Sequence, residues 1–300
     1  MFGGNLTRRT LFYARNWGVT QIHAGLHKTG STSLQRSLRA AGLLQSAVRS
    51  DFRDAEALRR VLLEADSRQR VVSSEHLLGE MYDMYSTAVE RARLIQRVVD
   101  RSRLTVYVRP HWQWHAAAYS QIIQQGTILT RGDYEAHVEA QRYFSLKQLC
   151  SDLLSLRSSS AEVQIRVSKD VVADYSSVIG VPLARPKWLN QSLSPMALEA
   201  LIRLRDDCSI PTREVRHALR SFMPESRFTS SVFSRQFQLR LIDMRADWID
   251  FSKALASSGQ PISNDWGRAY ERQLLPPASE IFTAGDLDAA RTHVRLAGNK

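Results

Sequence analysis

The chain has 300 residues, enough to bury a full α/β core; one large domain with helical additions and two separate domains are equally compatible with that length, and one domain is the default. Its formal net charge of +11 favours a polyanionic partner or a phosphate-bearing ligand. The basic residues are scattered through amphipathic segments rather than gathered in one run, so no nucleic acid is expected, and no apolar run approaches the ~20 residues of a membrane span.

Met1 to Asn16 carries arginines at 8, 9 and 15 and no apolar stretch of signal-peptide length, so residues 1–18 read as a lead and a cytoplasmic setting is expected, with peripheral membrane association compatible. Val19–Gly25 is short, partly apolar and ends at glycine. Leu34 and Leu38 follow four apart before Gly42, which predicts strand, loop and helix with Gly42 at the C-cap. Apolar runs at Arg70–Glu75, Leu104–Val108 and Glu162–Val167 predict further strands, alternating with helices around Val89–Val99, Trp112–Gln125 and Ser145–Leu156. Such alternation implies a parallel sheet of at least four strands. Ser194-Pro195 opens a helix with Leu198, Leu201 and Leu204 on one stripe, and no comparable strand signal returns. Beyond Pro276 a loosely held tail is expected. Cys150 and Cys208 have no partner at metal-ligand spacing and read as reduced, half-buried thiols.

The loop after the first strand reads Gly25-Leu-His-Lys-Thr-Gly30-Ser-Thr32. A strand that feeds a helix through such a turn aims backbone N–H groups and the positive end of the helix dipole at one point, which suits phosphate or sulfate. The two glycines keep the spacing of a Walker A loop, yet Ser31 stands where its lysine would be, and Lys28 lies three residues earlier. An NTPase would also want an aspartate ending a neighbouring strand for Mg²⁺, and Val106-Tyr-Val108 ends in Arg109.

The stretch Ile22-His-Ala-Gly-Leu-His-Lys-Thr-Gly-Ser-Thr-Ser-Leu-Gln35 closely resembles the 5′-phosphosulfate-binding loop of PAPS-dependent sulfotransferases, above all bacterial carbohydrate-type members. The resemblance implies that His27, Lys28, Thr29, Gly30, Ser31, Thr32 and Ser33 bind the donor, with Lys28 acting on the oxygen that bridges phosphorus and sulfur. Transfer to a hydroxyl needs a base beyond a neighbouring strand end. Val71-Val-Ser-Ser-Glu75-His76 resembles the family's Ser-Ser-Glu signature, which makes Glu75 the candidate base. A strand-end salt bridge is the bland reading of Glu75, and His76 is the alternative base.

Arg109 resembles the family arginine that grips the donor's 3′-phosphate together with a serine eight residues later. That position is Ala117 here, a loss of roughly 1–3 kcal/mol if nothing replaces the hydroxyl. Ser120 is the candidate replacement, on nearly the same helix face but off by ~4.5 Å along the axis. His111, Trp112 and His115 are near in sequence, Trp112 and Trp114 reading as packing. Tyr119-Ser-Gln121, Val163–Asp170 and Asn190–Ser194 also resemble family segments, and Lys169 reads as a surface residue.

The expectation is therefore an α/β fold, a three-layer P-loop-NTPase-like parallel sheet with helices on both faces and a helical C-terminal addition. Its domain covers 19–275, core 19–190 and helical part 191–275, with a tail at 276–300. The resemblance implies a sulfotransferase that moves the sulfuryl group of PAPS to a hydroxyl of a glycan or glycolipid and releases PAP, without a metal. A binding scaffold that has lost turnover, prompted by Ala117, and a basic nucleic-acid-binding protein are the rivals. Neither the acceptor nor the oligomeric state is legible in the sequence.

Overall fold

The computed structural model describes residues 18–47, 49–52, 54–126, 130–186, 193–205, 212–222, 230–257 and 277–298. In chain order the main elements are β1 (Thr20–His23), α1 (Ser31–Ala40), α2 (Ala55–Ser67), β2 (Val72–Ser73), α3 (Ala88–Val98), β3 (Ser102–Tyr107), α4 (His111–Gln124), α5 (Arg131–Glu139), α6 (Leu146–Leu154), β4 (Ala161–Arg166) and α7 (Val171–Ile179). Then come α8 (Pro195–Leu204), α9 (Thr212–Leu219), α10 (Arg235–Asp243), α11 (Arg245–Ser257), α12 (Ala278–Ile281) and α13 (Ala284–Gly298). Among the described residues no helix is long and apolar enough to cross a membrane.

The four strands form one all-parallel sheet in the order β2-β1-β3-β4, flanked by helices, so the chain is an α/β protein. The helix ends follow local chemistry. Gly42 adopts the left-handed φ of 71° just past α1, as its sequence position predicts, and Leu43 N–H donates back to the Leu38 carbonyl at 2.9 Å. Asp54 caps α2 by accepting from Ala57 N–H at 2.7 Å, and Ser194 with Pro195 starts α8 as predicted.

The described residues gather into two compact units that interleave along the chain. The first, drawn from 18–109, 142–186 and 250–257, holds the sheet. The second, drawn from 110–141, 193–249 and 277–298, is helical, so α4 and α5 belong to it although they precede β4 in sequence. Within that unit the segment expected as a loose tail is helical, and α13 buries Ala290 and Val294 against α8 and α9. The sequence masks this because the apolar contacts of α13 are only a few positions among charged ones.

In the first unit, alternate side chains of β1 meet different helices, as a period of two requires. Thr20 Oγ1 donates to Asp66 on α2, whereas the His23 ring lies 5.6 Å from both Tyr107 and Tyr175 of α7. On the α1 and α7 side a core of Leu34, Leu38, Tyr107, Val171, Tyr175 and Ile179 packs against the sheet. This face carries a row of polar residues that the register sets side by side, Ser73, His23 and Thr105 on β2, β1 and β3. His23 Nδ1 lies 2.8 Å from Ser73 Oγ, while Tyr107 donates to Asp174 at 2.6 Å and Arg166 pairs with the same carboxylate at 2.8 Å. Cys150, fully buried, has its thiol pKa pushed far up by that burial, as suits an inert core thiol, and Cys208 lies outside the described residues.

Burial also pushes the His23 imidazole down to about 3, so the folded protein holds it neutral. The unfolded chain takes up that proton near 6.5. The contribution is complete above pH 6.5 and shrinks as the pH falls toward 3, by up to about 1.4 kcal/mol per pH unit. Denaturation midpoints measured from pH 7.5 to 4 are expected to fall below pH 6.5. In His23→Leu, whatever its absolute stability, the slope becomes shallower.

Candidate functional site

In an all-parallel sheet every strand ends at the same edge, and open α/β sheets hold ligands there. The ends of β1, β2 and β3 carry, respectively, the loop Ala24–Gly30, the stretch Ser74-Glu75-His76, and Arg109. Topology alone thus brings three of the sequence-predicted segments to one edge of the first unit.

The loop is held by its own backbone. Thr29 N–H and Oγ1 both donate to the Leu26 carbonyl, at 3.2 and 2.6 Å, so the Thr29 hydroxyl ties the turn together. Lys28 sits at φ 66°, a left-handed conformation that costs a non-glycine residue about 1–2 kcal/mol. Gly30, the N-cap of α1, takes φ 98° without that cost, and no side chain caps the helix. Ser33 N–H donates to the Gly30 carbonyl at 3.0 Å, so only the N–H groups of Ser31 and Thr32, at the first two helical positions, are left to serve whatever the loop encloses. Ser31 is 3 % exposed, and its Oγ has no partner among the described residues. A Cβ on Gly25 would come within 2.0 Å of that oxygen and 2.8 Å of the His23 ring, so Gly25 is needed to let strand and helix close on each other. Thr32 is exposed and Ser33 half-buried at the helix start.

His27 is placed by a residue the sequence did not reveal. Its backbone N–H donates to the Tyr85 hydroxyl at 2.6 Å, and its Nδ1 lies 2.9 Å from the same oxygen. The phenol oxygen thus meets the backbone N–H and Nδ1 together and leaves Nε2 on the other side of the ring. That nitrogen faces Glu75, 3.9 Å from Oε1. His27 is thus engaged with the Glu75 side of the loop. Tyr85 itself is fully buried at φ 56° beside Met84 at φ 47°, a strained pair that no sequence motif announces.

The residues of Ser73-Ser-Glu-His76 divide the work. Ser73 holds His23, Ser74 Oγ accepts from His76 N–H at 3.1 Å, and Ser74 N–H donates to the His23 carbonyl at 3.1 Å. Two serines therefore bind the strand end to β1 and leave Glu75, its side chain 29 % exposed, at the edge. His76 packs its ring 4.9 Å from that of His27 and sets Nδ1 3.4 Å from Glu80.

His27, Glu75 and His76 offer ligand atoms within 4.8 Å of one another. The His27 Nε2 to Glu75 Oε1 separation of 3.9 Å is long for two ligands of a tetrahedral zinc, which lie about 3.4 Å apart. These residues fit a metal poorly as they stand.

Arg109 is half-buried at the end of β3, its Nε without a hydrogen-bond partner among the described residues, and burial lowers its pKa to about 10, so it remains cationic at neutral pH. Ser120 and Ala117 belong to the second unit, where Ser120 Oγ accepts from Gln124 at 2.7 Å. His111, Trp112, Trp114 and His115 are buried in that unit too, with His111 against Trp248 and His115 against Tyr134 and Phe237. Lys169 is exposed, and residues 190–192 lie outside the described residues. Comparison with family models, with curated proteins and with solved structures gives no match.

Tyr85→Phe removes the phenol that holds His27 and leaves a buried backbone N–H without its acceptor. A loss of about 1–3 kcal/mol in denaturant unfolding is expected, and any anion bound by the loop should bind more weakly than to the wild type.

Proposed function

We propose that this chain is a sulfotransferase, built on a three-layer P-loop-NTPase-like domain, that transfers the sulfuryl group of PAPS to a glycan or glycolipid hydroxyl and releases PAP. The observation that carries the proposal is the loop. A strand end runs through left-handed Lys28 and Gly30 into an uncapped helix start, with the Ser31 hydroxyl, which has no partner among the described residues, buried beside it. A cradle of N–H groups with one lysine on the turn suits an anhydride whose leaving oxygen gathers charge.

In this reading the acceptor oxygen attacks sulfur, the bond between sulfur and the bridging oxygen breaks, and PAP leaves with the charge that Lys28 stabilises. Glu75 takes the acceptor's proton, held by the Ser73 and Ser74 contacts to β1 and faced by His27 Nε2. His76, turned toward Glu80, is the second candidate for that proton. Arg109 supplies the cation for the 3′-phosphate. Ala117 favours one further reading, a donor-binding chain without turnover.

Calorimetry with PAP tests the donor site directly. One PAP per chain is expected, and Lys28→Gly, which relieves the left-handed backbone while deleting the amine, should bind it about tenfold more weakly with an unchanged or higher melting temperature. Undiminished PAP affinity in that variant would overturn the donor site. In a transfer assay with labelled PAPS, Glu75→Gln is expected to lose about 10²–10⁴-fold in rate at constant PAP affinity. Transfer is expected to withstand EDTA. A wild type that binds PAP yet transfers to no acceptor supports the reading without turnover.

A further inference from the structure

A cavity of about 520 Å³ opens beside β2 in the first unit, within the ~300–1,000 Å³ range of small-molecule sites. Its wall includes Gln35, Arg39, Gln45, Asp51, Phe52 and Glu75. Glu75 is thus shared between this cavity and the phosphate-type loop, 3.9 Å from His27 of that loop.

The strand order decides which substrate this space suits. β1, which carries the loop, lies between β2 and β3, and Arg109 follows β3. A donor held at one end by the loop and at the other by Arg109 runs from β1 toward β3, away from β2. The side of the loop that faces β2 remains for the second substrate, and it is there that the candidate base meets the cavity.

The lining indicates the acceptor's chemistry. Among the described residues of the wall, Arg39 is set against Asp51 and Glu75 and there is no lysine, so these residues carry no excess of positive charge although the chain as a whole is at +11. A polyanionic glycan would gain nothing from such a wall. The amides of Gln35 and Gln45 and the carboxylate of Asp51 suit the hydroxyls of a neutral ring, and the largely buried Phe52 offers an apolar surface for its C–H face. Gln35 is pinned by its donation to the Ser73 carbonyl at 3.1 Å. Gln45 is 5 % exposed, and its Oε1 has no partner among the described residues, as an acceptor reserved for a ligand hydroxyl would.

We infer that this cavity binds the acceptor, and that the acceptor presents an uncharged, polyhydroxylated sugar ring there with one hydroxyl reaching Glu75. The inference rests on the sulfuryl-transfer reading for the identity of the reaction, and on the cavity alone for the sugar.

The test uses the full chain, a set of neutral methyl hexopyranosides and a uronate-bearing oligosaccharide of similar size. With PAPS present, a neutral glycoside is expected to be sulfated with the higher kcat/KM. Asp51→Asn and Gln45→Leu should each raise its KM about tenfold while PAP affinity stays within about twofold. Preference for the uronate substrate, or an unchanged acceptor KM in both variants, overturns the inference. Calorimetry with the glycoside alone separates this result from failure of the donor reading. Saturable binding that Gln45→Leu weakens supports the cavity even if PAP does not bind, and no glycoside binding to a chain that does bind PAP overturns the cavity and leaves the donor site standing.

Discussion

The candidate site hangs on the turn between His23 and Ser31, where the chain must leave a parallel strand and enter a helix with its N–H groups facing inward. The turn needs a residue without a side chain at Gly25, because Ser31 Oγ and the His23 ring fill that space, and it passes through left-handed Lys28. Such a shape is unfavourable in isolation and persists only when the surroundings over-determine it. Here Thr29 bonds back to Leu26 from within, and the Tyr85 hydroxyl holds His27 from outside.

Beneath the loop, the sheet face toward α1 and α7 is less apolar than a parallel sheet usually requires. The row Ser73, His23, Thr105 and the cluster of Tyr107, Arg166 and Asp174 are polar and largely buried. Burial of polar groups is tolerated when they bond to one another, and most of these do. The same bonds connect β1 to β2 and β3 to α7, so the strand ends that carry Glu75 and Arg109 are tied to a stiff polar layer.

Charge acts on two scales in this chain. The overall excess of arginine and lysine raises the local concentration of any phosphate-rich ligand, a long-range effect that salt screens. Among the described residues that line the cavity beside β2 the balance differs, since Asp51 and Glu75 offset Arg39 there. In the proposed reading, a polyanionic donor and an uncharged acceptor would be recognised at adjoining places along one sheet edge.

The amino-acid sequence by itself determined the alternation of strands and helices, the parallel sheet, the glycines at special backbone angles and the strand-loop-helix passage through Gly25–Thr32. These follow from local spacing and from the steric freedom of glycine, both written in neighbouring residues. Tertiary structure alone decided that Tyr85 holds His27, that Ser73 anchors His23, and that Gln45 and Asp51 share a cavity with Glu75, because these contacts join residues far apart in the chain. It also decided that α4 and α5 join the helical unit and that α13 packs rather than trails. The apolar contacts responsible are long-range, and a periodicity within one segment does not say which partner will cover it.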